Sequence, residues 1–376
     1  MYRALIILKT RKHYISLFLF LTVLLSSCGS DSSTYLMGGA IQGVPLQLTT
    51  TVTTPIGSAG SSGTTDGTGS AARFYNPYGI TTDGINLYIA DTFNHTIRKI
   101  VIATGEVTTL AGSAGSSGSA DGTGSAALFN SPNGITTDGT NLYVADSFNH
   151  TIRKIIIATM EVTTLAGSMG VSGSADGIGS AAQFNAPTGI TTDGTVLYVA
   201  DHQNHTIRKI VIATGEVTTL AGSALSNGTT NGTGVTARFN FPYGITTDGA
   251  NIYVTDTQSY TIRKIVITTG EVTTLAGSAG NQGSTDGVGA AARFFQSYGI
   301  TTDGFNLYVA DTFSNTMRQI VIATGEVTTL VGSAGNQGST DGVGAAARFY
   351  NPAGITTDGT NLYILDALNH TVRQMD

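Results

Sequence analysis

The chain has 376 residues, only 11% of them charged, with 49 glycines, one cysteine and no tryptophan. Four of its 18 basic residues (Arg3, Lys9, Arg11, Lys12) fall in the first dozen positions, so the remainder sets 14 bases against 24 acids, a net charge of −10. An acidic body lacks the basic stripe that displaces counterions from a phosphate backbone, which argues against nucleic-acid binding of the electrostatic kind. A single cysteine excludes an internal disulfide.

In chain order, basic residues up to Lys12 precede an apolar run from Ile15 to Leu25, and polar Gly29, Ser30 and Asp31 follow Cys28. This is the outline of a signal peptide over residues 1–27, with an apolar run shorter than the roughly 20 residues of a membrane-spanning helix. Leu25-Ser26-Ser27-Cys28 resembles the bacterial lipobox. The resemblance implies that Cys28 becomes an acylated N-terminus, each buried methylene adding about 0.8 kcal/mol to membrane attachment. Residues 28–46 then read as a lipidated flexible tether. Gly29 directly after the cysteine is similar to lipoproteins sorted to an outer membrane. The expected address is a lipid anchor in the cell envelope, at a bacterial outer membrane.

From residue 47 to the end one sentence repeats. Thr-Ile-Arg-Lys-Ile or a variant places its arginine at Arg98, Arg153, Arg208, Arg263, Arg318 and Arg373, each step 55 residues. A fixed period of this size marks a unit that buries its apolar faces only by stacking on its neighbours. In the second unit, Gly134 to Asp138 predicts a first strand, a, and Leu142 to Asp146 a second, b. Thr151 to Ile156 predicts c, and Val162 to Gly167 predicts d. Met160 stands in the c to d turn where Gly105, Gly215, Gly270 and Gly325 stand in other units, and a modest local cost is expected there.

Val52 to Ser58 matches strand d with no a, b or c before it, while Gly354 to Met375 supplies a, b and c with no d after them. The expected fold is all-β: a closed six-bladed propeller of four-stranded antiparallel blades, an N-terminal outer strand completing the last blade. Pro55 suits an edge strand.

The motif Gly-Ile-Thr-Thr-Asp-Gly, Leu-Tyr-Val-Ala-Asp, Asn-His-Thr-Ile-Arg-Lys-Ile resembles the NHL repeat family. Asn94-His95, Asn149-His150, Asn204-His205 and Asn369-His370 carry its signature dipeptide, and Ser259-Tyr260 and Ser314-Asn315 depart from it. The resemblance implies a propeller that serves as a binding platform. Alternating strand directions put the b to c loops and the long d to a connections on one face, so that face is the expected binding face.

Most polar residues recur in every unit, and the expected roles are correspondingly structural. Phe74, Phe129, Phe184, Phe239, Phe294 and Phe349 read as packing plugs between blades. Asp83 and its equivalents at the end of strand a read as turn-bonding residues, with a cation-holding carboxylate ring as the other reading. Asp91 and its equivalents face the arginines and predict repeated ion pairs. Asp66 and its equivalents in Asp-Gly-x-Gly are only faintly similar to calcium or phosphate loops. His95, His150, His205 and His370 recur at one position in four units, each in a different blade, and are too dispersed to share one ion.

No singular charged residue remains for catalysis, so no catalytic or metal-binding residue and no cofactor is expected. The candidate partner-binding residues are Phe93, Phe148, His202, Gln203, Gln258 and Tyr260 on the loop-rich face. The expected function is a membrane-anchored envelope lipoprotein whose propeller binds a protein or glycan partner as a monomer. The alternatives are a metal-dependent lactonase- or lyase-like hydrolase and a structural spacer.

Overall fold

The computed structural model describes residues 44–376, which form six antiparallel sheets. In the first, Gly79–Thr82 (a) pairs with Asn86–Asp91 (b), b with Thr96–Val101 (c), and c with Glu106–Ala111 (d). Strand b is buried on both sides: Leu87 and Ile89 enter one apolar cluster while Tyr88 and Ala90 enter another. Alternate side chains of a strand point to opposite faces, so each blade contributes to two cores. The first cluster is shared with the last blade (Tyr363, Leu365, Val372) and the second with the next blade (Leu142, Val144, Ile155).

The sixth sheet is drawn from both ends of the described chain. Thr51–Gly57 pairs antiparallel with Thr371–Met375, the register shifting between Thr53 and Ile56. Pro55 lies in that shift, where no ladder donor is required of it.

The sheets hold five strands each, not the expected four. The extra strand is a two-residue piece, Gly67–Thr68 in the first unit, that pairs with Val107 and Glu106 at the start of d. It comes from the d to a connection, which therefore does not stand as a free loop on one face. The connection runs down the outer edge of the blade to the c to d turn, where Gly69 N–H donates to Gly105 O (3.0 Å). It returns beside itself through Arg73 N–H to Thr65 O (2.9 Å) and Gly63 N–H to Phe74 O (3.1 Å). Covering a strand edge removes the unpaired N–H and C=O row that would template association.

At the axis, one glycine per unit lets neighbouring a strands approach. A Cβ on Gly79 would lie 1.9 Å from Asn133 O, on Gly134 2.2 Å from Thr188 O, and on Gly354 2.5 Å from Tyr78 O. The residue before each glycine is thereby drawn to the axial opening.

Cys28 and the signal-peptide residues lie outside the described residues. Of the expected tether, Val44 to Leu46 is described, and it is tied to the propeller. Leu46 N–H donates to Asp303 Oδ2 at 2.9 Å, and Leu46 and Leu48 pack against the core shared by the fifth and sixth blades.

Candidate functional site

A buried node recurs in every unit and builds the loop-bearing mouth of the propeller. Arg98 is fully buried; its Nη1 donates to Asp91 Oδ2 at 2.8 Å and its Nη2 to Asp66 Oδ1 at 2.6 Å. Phe74, also buried, places its ring 5.2 Å from the guanidinium. The aspartate of Asp-Gly-x-Gly is thus an arginine partner, not an ion loop. In the fourth unit Asn231 Oδ1 takes its place at 2.9 Å from Arg263 Nη2. Burial pushes the Asp91 carboxyl up to about 6, opposed by the Arg98 charge and the Tyr75 amide.

The free oxygen of that carboxylate positions the mouth. Asp91 Oδ1 accepts the Tyr75 N–H at 2.8 Å, and Phe93 N–H donates to Tyr75 O at 3.2 Å. The same two bonds recur at Asn130 with Phe148, Asn185 with Gln203, Asn240 with Gln258, Phe295 with Phe313 and Tyr350 with Leu368. Each unit therefore presents a fixed pair of rim residues held through main-chain atoms, a hold that uses neither side chain.

The rim divides in two. Blades five, six and one carry Phe295, Phe313, Tyr350, Leu368, Tyr75 and Phe93, every one apolar or aromatic. Blades two, three and four carry Asn130, Asn185, Gln203, Asn240 and Gln258, with Phe148 the exception. Phe93 is 43% exposed, Phe148 61% and Phe313 37%.

Inside the rim lies a floor formed by the residues before the axial glycines: Tyr78, Asn133, Thr188, Tyr243, Tyr298 and Ala353. Tyr243 and Tyr298 stack at 4.2 Å, and Asn133 Nδ2 donates to the Tyr243 hydroxyl at 2.8 Å past the intervening blade. Phe93, Tyr78, Tyr298 and Phe313 form an unbroken row with ring centroids 6.3, 6.4 and 6.1 Å apart. Burial pushes the Tyr298 hydroxyl up to about 12 and those of Tyr78 and Tyr243 above the ordinary range, so the floor stays uncharged near neutrality.

The expected contact residues separate accordingly. Phe93, Phe148, Gln203 and Gln258 stand exposed on the rim. His202 is half-buried, its Nδ1 3.0 Å from Pro242 O and its ring packed against Phe241 and Tyr243; burial lowers its pKa. Tyr260 sits between blades four and five, its ring 6.4 Å from Phe295. Sequence reasoning missed Tyr75, Tyr78, Tyr243, Tyr298 and Phe313. Comparing the units at the position before the axial glycine finds most of them, because that position changes almost from unit to unit.

Four signature histidines latch one blade to the next. His95 Nδ1 accepts the Ser131 N–H at 3.0 Å and His150 Nδ1 the Ala186 N–H at 3.0 Å; His205 and His370 do the same for Phe241 and Asn76. Asn315 Oδ1 serves identically for Asn351. Asp83 Oδ1 accepts its own turn amides from Ile85 and Asn86 while Oδ2 accepts the Tyr88 hydroxyl at 2.9 Å, the turn-bonding arrangement. Among the described residues no group of three or more His, Cys, Asp or Glu side chains converges on a point.

These features define a six-bladed all-β repeat propeller with one differentiated mouth. No family model matches the chain. It is 29% identical over 339 residues to NHL repeat-containing protein 2 of Homo sapiens, across 80% of this chain and 46% of that protein. The chain spans less than half the length of the curated relatives it matches. Solved structures named auxiliary nutrient binding protein, from Bacteroides thetaiotaomicron and Bacteroides ovatus, superpose with TM-scores of 0.65 and 0.64 at 16% and 19% identity. They cover 86% and 88% of this chain and 76% and 77% of theirs, and at those identities the likeness is one of fold. Repeat and architecture together are those of an NHL-repeat β-propeller.

Proposed function

We propose that this protein is a lipid-anchored envelope protein whose propeller binds a protein or glycan partner through the b to c mouth. The observation that carries the reading is the divided rim. Six units that agree almost residue for residue elsewhere differ at the positions whose side chains the fold leaves free. The fold relatives named as nutrient binding proteins support a binding role for this architecture. Leu46 lies beside Asp303, in an a to b turn, at the end opposite the mouth.

Two measurements test this. Metabolic labelling with a radioactive fatty acid should mark the protein and fail to mark Cys28→Ser; an unlabelled wild type removes the anchor. Full-length protein used to capture envelope components should lose its partner when Phe93, Phe148 and Phe313 are replaced together by serine. Unchanged capture by that variant removes the mouth as the binding face.

A further inference from the structure

We propose that the mouth binds an extended, uncharged polysaccharide. The sugar rings would lie along the row from Phe93 to Phe313, their hydroxyls read by the amides of Asn185, Gln203 and Gln258. The inference rests on the binding-platform reading and narrows its partner.

Three properties of the surface select this ligand. The first is shape: rings with centroids spaced 6.3, 6.4 and 6.1 Å, each turned 57–80° from the one before, make an aromatic line of alternating faces and edges across the opening, and the Tyr243 and Tyr298 stack fills its centre. A filled centre with an aromatic row suits a chain lying across it better than a small molecule held within. Aromatic faces carry the negative side of a quadrupole and attract the C–H face of a pyranose ring.

The second is charge. None of the rim and floor residues named above is Asp, Glu, Lys or Arg; beneath them Arg98 and Asp91 are buried, and the half-exposed Asp66 is already bonded to Arg98 and to Thr109 of strand d. An acidic polymer finds no cation on these rim and floor residues to pair with, and a basic peptide finds no carboxylate on them.

The third is hydrogen-bonding character. Gln203 and Gln258 are exposed, Asn130 and Asn185 half-exposed, and none of these amides has a side-chain partner among the described residues. Each presents two donors and an acceptor, which complements hydroxyls that both donate and accept. A proline-rich peptide, the other ligand that favours aromatic rows, offers only carbonyl acceptors and would leave half of that capacity unused. Repeated weak contacts along a polymer then add through effective concentration.

Electrophoresis of the full chain through gels containing soluble starch, xyloglucan, galactomannan or levan tests this, with polygalacturonate as the acidic comparison. At least one neutral polymer should retard the protein, and raising the salt about tenfold should leave the retardation unchanged. The double variant Phe93→Ala/Phe313→Ala should weaken it by about tenfold or more, and Gln203→Ala/Gln258→Ala by roughly threefold. Ile85→Ala/Phe305→Ala, at the opposite end, should leave it intact and shows that surface truncation alone is harmless. The proposal is overturned by no retardation by any neutral polymer, retardation by polygalacturonate alone, insensitivity to the aromatic variant, or preference for an immobilised proline-rich peptide. Capture of an envelope protein that depends on the same aromatic residues would overturn the glycan while keeping the platform. Capture of nothing, by a folded chain, ends both.

Discussion

The two ends of the propeller are made by the same six units, yet the a to b turns vary mainly at their tip (Ile85, Thr140, Thr195, Ala250, Phe305, Thr360), while the mouth varies at rim and floor alike. At the a to b turns Gly-Ile-Thr-Thr-Asp-Gly is spelled identically in all six units. There the aspartate side chain itself holds the turn and a tyrosine hydroxyl, so any change costs hydrogen bonds. At the mouth the loops are held by the Asp91 carboxylate and by main-chain bonds, and the rim side chains are not needed for that. Three rim and floor positions accordingly take Tyr, Asn or Phe, then Phe, Gln or Leu, then Tyr, Asn, Thr or Ala. The backbone-held loops release a pair of rim side chains per unit, whereas the side-chain-held turn releases only the residue at its tip.

The largest effect should come from the buried node beneath the mouth. Arg153→Ala removes the partner of Asp146, whose side chain is 0% exposed, and should cost about 3–5 kcal/mol by leaving a buried charge unpaired. Urea unfolding checks it, and Arg373→Ala should match it, since the node is equivalent in the last blade. Next in size is Gly134→Ala, whose new Cβ would sit 2.2 Å from Thr188 O at the axis. Forcing two strands apart should cost about 1–3 kcal/mol and should disturb the floor at Asn133 and Tyr243. A neutral result at Gly134 would show that the axial ring yields, and that the floor is not rigidly placed.

Smaller changes separate frame from recognition more finely. Met160 holds φ +58° where equivalent turns use glycine, so Met160→Gly should stabilise by roughly 1 kcal/mol with no effect at the mouth. The histidine latches give a pH signature. Burial lowers the pKa of His95, His150, His205 and His370 below 6.5, and each Nδ1 must be unprotonated to accept its amide. The folded state therefore favours the neutral ring. The stability this contributes is complete above the unfolded pKa of about 6.5 and is lost as pH falls through the folded values. Replacing His150 with Asn, the acceptor used naturally at Asn315, should keep the latch and reduce the acid loss, seen as a shallower fall of melting temperature between about pH 6.5 and 5.

Much of the frame was legible because burial imposes one answer per position. The period of 55, the strand order within a unit and the arginine pairing with Asp91 all follow from residues repeated at fixed spacing. The fifth strand was not legible. Gly67-Thr68 is too short to show an alternating pattern, and its pairing with Val107 depends on a connection that folds back across the blade edge. Reading that connection as a surface loop also left Asp66 without a partner, because its role is set by an arginine 32 residues away. At the mouth, exposed Phe93, Phe148, Gln203 and Gln258 were found because they differ between units. Tyr78, Tyr243 and Tyr298 were missed because they lie beside uniform glycines at the start of strand a, where an aromatic reads as core.

The smallest effect on stability should come with the largest effect on binding, and that inversion is the sharpest test of the two-ended comparison. Phe148 is 61% exposed and its backbone N–H bonds Asn130 O whatever its side chain. Phe148→Ala should therefore change stability by less than about 0.5 kcal/mol, the usual range for surface substitutions outside special features. Phe93→Ala should cost somewhat more, because its ring lies edge-on to Tyr75 at 5.3 Å. Such aromatic pairs contribute about 0.5–1.5 kcal/mol. If the rim is a recognition surface, both variants should unfold within that margin of the parent while losing partner binding, and their effects on binding should exceed those of Arg153→Ala measured where the latter remains folded. Equal losses would mean the rim acts only through the frame beneath it, and the contrast between the two ends would then describe packing tolerance, not function.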